Sequence, residues 1–107
     1  MSENPVSSPT HEQVMTALRA VIDPEIGLNI VDLGLIYDVR FENRNVHVTF
    51  TLTTAGCPMQ YTMAAGIRRA VLALSSVADC EVHLVWNPPW NPSMISKEGC
   101  AILGSNP

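Results

Sequence analysis

The sequence predicts an α+β fold in which helices cover one face of a small mixed sheet. Apolar and polar residues alternate through residues 35–53, as they do in strands with one buried face, and from residue 58 the apolar spacing becomes helical. A third alternating stretch occupies residues 81–86. Strands with a single apolar face need helices on one side only. We therefore expect a two-layer sandwich ordered helix, strand, strand, helix, strand, helix, with a three-stranded mixed sheet.

Length, composition and charge restrict the class of protein. The chain has 107 residues and 47% hydrophobic residues, which is consistent with one globular domain and too apolar for a disordered chain. A net charge of −4 gives no basic surface, so we expect no nucleic acid partner. No signal-peptide pattern opens the chain and no apolar run could span a bilayer, so we expect no membrane association. Three widely spaced cysteines without a C-x-x-C pair favour a reducing cytoplasm.

The domain is expected to occupy residues 10–104, between a flexible tail at residues 1–9 and a loose end at residues 105–107. Thr10 is a plausible N-cap for a first helix that runs to Ile22 and stops before Pro24. The connection that follows, residues 23–34, carries Asp23, Glu25 and Asp32 among apolar residues, so part of it should pack on the core. Turn formation and capping are the plain explanation for its carboxylates.

The middle of the chain predicts a β-hairpin followed by a crossover helix. Its second strand turns Val46, Val48, Phe50 and Leu52 to the core and His47 to the polar face, so we interpret His47 as a solvated histidine rather than a ligand. The helix should run from residue 58 to about residue 76, and residues 81–86 should form a third strand parallel to the second. Ser93 is expected to cap a short last helix.

Residues 53–59, TTAGCPM, join the clearest strand pattern to the longest helical one. Proline is favoured at the first helical position, which places Cys57 at or next to the N-cap. The helix dipole there favours negative charge, and a thiolate can attack electrophiles or bind soft metals. A buried, inert cysteine is the alternative.

Three loops should meet at one end of this fold. An antiparallel hairpin places the connection 23–34 beside the turn at residues 53–57, and a parallel third strand brings residues 86–90 to the same edge. Carboxylates, two threonines, the motif cysteine and a tryptophan–proline segment would then lie together.

The segments DPEIGLNIVDLGLIYDV, LTTAGCP and VWNPPW resemble the small iron–sulfur cluster assembly proteins of the SufT and PaaD types. The resemblance covers about residues 10–104 and implies the α+β iron–sulfur assembly domain, with a role in building or delivering clusters to client proteins and no enzymatic turnover. It implies that Cys57 is the functional cysteine, that Thr53 and Thr54 belong to the cluster-binding site, and that Asp23 and Glu25 are metal ligands.

Three departures from the family pattern make the expected role more specific. Ala55 stands where relatives often have proline, and Asn87 where they commonly have aspartate, which removes one acidic candidate ligand. The cysteine-rich tail of PaaD-type proteins is absent from this sequence. The resemblance therefore favours a general assembly role over a phenylacetate-specific one.

An iron–sulfur cluster needs several thiolates, whereas each chain offers one well-placed cysteine. We therefore expect a transient cluster shared between two chains, as in a homodimer, or with the assembly machinery or a client apoprotein. Two other classes stay open at this point. One is a thiol enzyme with Cys57 as nucleophile and Glu25 or Asp23 as base, and the other is a metal-free adaptor that binds through the segment from Trp86 to Trp90.

Overall fold

The computed structural model describes residues 8–53 and 59–104 and confirms the α+β fold. Helix α1 spans His11–Leu18, α2 spans Met59–Leu72 and α3 spans Lys97–Leu103, with a 3-10 turn at Pro92–Met94 ahead of α3. The strands are β1 (Ile22–Asp23), β2 (Leu28–Asn29), β3 (Ile36–Glu42), β4 (Asn45–Phe50) and β5 (Asp79–Leu84). Among the described residues, no helix combines the length and apolar character needed to cross a membrane.

The main sheet has three strands in the order β3-β4-β5. Strand β3 pairs antiparallel with β4, so Val39 lies opposite Val48. Strand β5 pairs parallel with β4 and places Val82 on the other side of Val48. The mixed sheet and the crossover through α2 are therefore confirmed.

The hydrophobic core lies between one face of this sheet and helices α1 and α2. Alternation along β4 turns Val46, Val48 and Phe50 inward, as the sequence predicts. The helices contribute residues at helical spacing, namely Val14 and Leu18 from α1 and Met63, Ile67 and Val71 from α2. These side chains are almost completely buried, which explains the position of both helices on the same side of the sheet.

Helix α1 is shorter than predicted. Thr10 caps it as expected, and the Thr10 and Gln13 side chains form a reciprocal capping box. The helix ends at Leu18, and Ile22 instead pairs with Asn29 in a two-stranded antiparallel ladder. The prediction that α1 continues to Ile22 is therefore wrong, because pairing with β2 replaces the last helical turn.

The later elements also shift relative to the sequence prediction. Helix α2 ends at Leu72 rather than near residue 76, and β5 ends at Leu84, so Trp86 lies beyond the strand. Ser96, not Ser93, caps α3, because Ser93 belongs to a preceding 3-10 turn that Asn91 caps. The last helix therefore begins one short turn later in the sequence than predicted.

The connection between β2 and β3 packs on the core, as its apolar residues predict. Leu28, Ile30, Leu33 and Leu35 are all buried. The backbone N–H of Leu35 donates to the carbonyl of Ile30, which closes this connection into a compact turn. This segment therefore forms a packed, hydrogen-bonded loop at one end of the sheet.

Candidate functional site

Two of the three loops predicted to converge are in direct contact. The indole Nε1 of Trp90 donates a hydrogen bond to the carbonyl of Leu33 at 2.7 Å, and the Tyr37 hydroxyl donates to the carbonyl of Pro88 at 2.7 Å. The end of β4 joins the same region, because the N–H of Thr51 donates to the carbonyl of Leu35 at 2.9 Å. Trp90 is therefore an internal anchor of the fold, whereas Trp86 is 40% exposed.

Asp32 fixes helix α3 to this end of the molecule. Its Oδ1 accepts from the Ser96 hydroxyl at 2.9 Å, and its Oδ2 accepts from the Asn29 side-chain amide at 2.8 Å. The carbonyl of Asp32 also accepts from the N–H of Ser96. Because both carboxylate oxygens already have partners, Asp32 acts structurally here.

Asp23 is buried and supports the turn between β1 and β2. Its Oδ1 accepts from the N–H of Glu25 at 2.8 Å and from the N–H of Ile26 at 3.3 Å. Glu25 itself is exposed. This geometry matches the turn-forming role that the sequence left open for Asp23. Metal ligation by Asp23 and Glu25 stays a prediction.

The predicted cysteine motif falls largely outside the described residues. Thr53, which is half-buried, is described, whereas Thr54 and Cys57 are not. Helix α2 begins at Met59, two positions after Cys57 in the sequence. Roles for Thr53, Thr54 and Cys57 in holding a cluster therefore also stay predictions.

The other two cysteines are free thiols of different character. Cys80 lies on the core face of β5 and is only 2% exposed. Burial raises the pKa of the Cys80 thiol to about 11, so the group is protonated near neutral pH. Cys100 is half-buried on α3. A soft metal requires a thiolate, so Cys80 is poorly suited to ligation.

A second group of polar side chains lies on the sheet face away from the core. Glu81 on β5 is the register partner of His47 on β4, and His83 follows Glu81 by two residues on the same face. The two imidazole rings are stacked with centroids 6.0 Å apart. The sequence prediction interpreted His47 as a solvated histidine and did not relate it to His83. The parallel register of β4 and β5 brings them together, and the sequence pattern does not determine that register.

Comparison with known proteins identifies the family of this chain. A family model described as iron-sulfur cluster assembly protein matches residues 11–84, which is most of the chain. This chain belongs to the iron–sulfur cluster assembly protein family. The resemblance that the three motifs indicated is thereby confirmed.

Two relatives and a solved structure agree with this placement. The chain is 44% identical over 94 residues to the Fe-S protein maturation auxiliary factor YitW of Bacillus subtilis, covering 87% of this chain and 92% of that one. It is 40% identical to the Fe-S protein maturation auxiliary factor SufT of Staphylococcus aureus, covering 78% and 97%. A domain of unknown function from Bacillus anthracis superposes with a TM-score of 0.81 at 39% identity, covering 89% and 92%.

Proposed function

We propose that this chain is a maturation factor for iron–sulfur proteins that holds a cluster transiently through Cys57 and passes it to client apoproteins. The cluster is then cargo rather than a resident cofactor, and the chain carries out no turnover of its own. Family membership and the roles for which its relatives are named support the maturation role. Its partners would be the iron–sulfur assembly machinery and the client proteins, in the cytoplasm.

The burial of Cys80 is the observation that supports Cys57 as the cluster ligand. The stretch matched by the family model, residues 11–84, contains two of the three cysteines, Cys57 and Cys80. Cys80 is buried, and its raised pKa keeps it protonated. Cys57 is the remaining thiol of that stretch and precedes α2 by two residues in the sequence. A helix N-terminus favours the ionised form of a nearby thiol, and the proposal assigns that role to α2.

One thiolate per chain cannot complete the coordination of a cluster. Clusters are held by several cysteine ligands, so a second chain of this protein, a donor or a client would supply the others. Incomplete ligation by each partner makes the cluster easy to release, which suits delivery. Thr53, Thr54, Asp23 and Glu25 complete the proposed site, the carboxylates as oxygen ligands for iron.

The first test compares serine substitutions at the three cysteines in cells. Cys57→Ser should lower the activity of a cluster-dependent reporter enzyme at least fivefold without lowering the amount of its polypeptide. Cys100→Ser and Cys80→Ser are the matched controls and should leave the reporter activity within twofold of wild type. The measurement is reporter activity divided by reporter protein in a strain that lacks the chromosomal copy.

The proposal fails if Cys57→Ser supports full reporter activity. It also fails if Cys80→Ser or Cys100→Ser is as defective as Cys57→Ser while its thermal unfolding matches that of the wild-type chain. The first result would remove Cys57 from the mechanism, and the second would assign the cluster to a different thiol.

A further inference from the structure

The main sheet has one face that none of the described helices covers. Register pairs place residues of all three strands on this open face. The face carries Asp38, Arg40 and Glu42 from β3, His47 and Thr49 from β4, and Glu81 and His83 from β5. Its polar composition contrasts with the apolar face that packs on α1 and α2, so hydrophobic burial does not account for the residues found there.

Three side chains on the open face present potential metal ligands to one point. Oε1 of Glu81 lies 3.7 Å from Nδ1 of His47 and 3.6 Å from Nε2 of His83. The three ligand atoms all lie within 4.8 Å of one another. Distances of 3.6 and 3.7 Å are too long for ordinary hydrogen bonds, so these atoms are gathered without being bonded to one another.

Glu42 determines which nitrogen of His47 is available. Nε2 of His47 lies 3.2 Å from Oε1 of Glu42. An ionised carboxylate only accepts hydrogen bonds, so the tautomer that satisfies this contact carries its proton on Nε2 and leaves Nδ1 as the nitrogen for a metal. Nδ1 is also the nitrogen of His47 that lies 3.7 Å from Oε1 of Glu81. A carboxylate that holds the second nitrogen of a histidine is the usual support of a metal-binding imidazole.

The charge on the open face also suits a cation. Arg40 is the register partner of His47 on β3, and the Arg40 Nε pairs with Asp38 at 3.3 Å. The carboxylates of Glu42 and Glu81 therefore face the histidines without a lysine or arginine partner among the described ion pairs. A divalent cation between the imidazoles would be neutralised mainly by Glu81.

Metal binding requires the two stacked imidazole rings to turn toward a common point. Zinc–nitrogen and zinc–oxygen bonds of about 2.0–2.2 Å place neighbouring ligand atoms roughly 3.0–3.6 Å apart. The two distances from Glu81, 3.6 and 3.7 Å, already lie at the upper end of that range. The two histidine nitrogens lie within 4.8 Å of each other, and theirs is the separation that has to close on metal binding. The side chains of Glu81 and His83 are 61% and 51% exposed, so both can rotate without disturbing the core.

We infer that His47, Glu81 and His83 form a binding site for a first-row divalent cation, Zn²⁺ or Fe²⁺, with Glu42 positioning His47. Two imidazoles and one carboxylate suit these metals and leave coordination positions open to solvent or to a further ligand. The site uses no cysteine, so it stands independently of the role proposed for Cys57. A plain surface pairing of histidine with glutamate is the arrangement against which it must be tested.

The test is a Zn²⁺ titration of the full chain carrying Cys57→Ser, which removes the motif thiol as a competing ligand. Isothermal titration calorimetry gives the dissociation constant, and ¹⁵N NMR of the imidazoles reports which histidines respond. His83→Gln and Glu81→Gln should each weaken Zn²⁺ binding more than fivefold. Glu42→Gln should weaken it about tenfold, as removal of a supporting carboxylate generally does.

The third histidine provides a matched control. His11 and Glu12 are exposed neighbours on α1, far along the chain from His47 and His83, and His11→Gln and Glu12→Gln should leave the dissociation constant unchanged. The His47 and His83 resonances should shift with Zn²⁺ while those of His11 stay in place. Three results would each overturn the inference. Zn²⁺ binding could weaken less than fivefold in His83→Gln, it could weaken as much in His11→Gln as in His83→Gln, or the Cys57→Ser chain could bind no Zn²⁺.

Discussion

Two roles compete at Asp23, and each makes a different demand on its side chain. The turn between β1 and β2 needs an oxygen that accepts the N–H groups of Glu25 and Ile26. A metal or cluster ligand needs the negative charge as well. An asparagine at this position keeps the acceptor oxygen and loses the charge, so substitution can separate the two roles.

Asp23→Ala should lower the free energy of unfolding by about 1.5–3 kcal/mol, because it removes hydrogen bonds to a charged group. Asp23→Asn should cost much less, since its amide oxygen can accept the same bonds. Urea denaturation measures both values. If Asp23 is also a ligand, Asp23→Asn should still reduce cluster content after reconstitution. Equal destabilisation by the two variants would contradict the turn geometry.

Cys80 shows why residue type alone is a weak guide to chemistry. The sequence prediction began the third strand after Cys80, whereas β5 begins at Asp79, so that the alternation of Val82 and Leu84 extends to Cys80 and turns its side chain into the core. Burial both removes the thiol from solvent and raises its pKa to about 11. The buried neutral thiol therefore stabilises the fold fully below about pH 9. This contribution to the free energy of unfolding is lost as the pH rises toward 11, well above the range in which Cys57 would act.

At the scale of elements, Gly34 controls how closely the connection after β2 approaches the 3-10 turn. Its φ of +81° lies in the left-handed region, and a Cβ at this position would overlap the backbone and Cβ of Met94. Gly27 has the same φ of +81°, but a Cβ added there would meet no heavy atom within 4 Å. An alanine at Gly27 would therefore test backbone strain alone, whereas an alanine at Gly34 would test backbone strain together with close packing.

Gly27→Ala should lower the free energy of unfolding by about 1–2 kcal/mol, the cost of left-handed backbone for an L-residue. Gly34→Ala should lose that amount and about 1–3 kcal/mol more, because the added methyl group overpacks the contact with Met94. Urea denaturation of the pair measures the difference. Equal losses in both variants would show that the two segments are not in close contact.

The sequence predicted the long strand β4 correctly but not the two-residue strands. The alternation along β4 predicted its buried residues correctly, since a strand with one core face requires period two. The ladder of Ile22–Asp23 with Leu28–Asn29 was missed, because two residues per strand carry no periodic signal. For the same reason α1 was drawn too long, since Ile22 continues the helical spacing although its backbone pairs with Asn29.

The candidate site was predictable only where topology alone determines it. The hairpin and the crossover required the first and third loops to meet, and the hydrogen bond from Trp90 to Leu33 confirms that contact. The Asp32 anchor of α3 was not predictable, because it depends on where α3 begins. The His47–Glu81–His83 group depends on strand register, which the sequence pattern leaves open by two residues in either direction.

At the scale of the whole molecule, the fold separates two kinds of surface. One end carries the packed loops and the strand that leads into the cysteine motif, and the open sheet face carries the two histidines with Glu42 and Glu81. A delivery factor must bind cargo weakly and exchange it with partners, so its cargo ligands are expected to be incomplete within one chain. The proposed function depends above all on this incompleteness.

Anaerobic reconstitution with iron and sulfide tests that claim most directly. Acid-labile sulfide per chain, together with absorption and Mössbauer spectra, measures the cluster, and native mass spectrometry reports the number of chains that share it. We expect a cluster that is found only in dimers or mixed complexes and is lost in Cys57→Ser, with Cys80→Ser as the control that retains it. A cluster on a single chain, or unchanged sulfide content in Cys57→Ser, would contradict the claim.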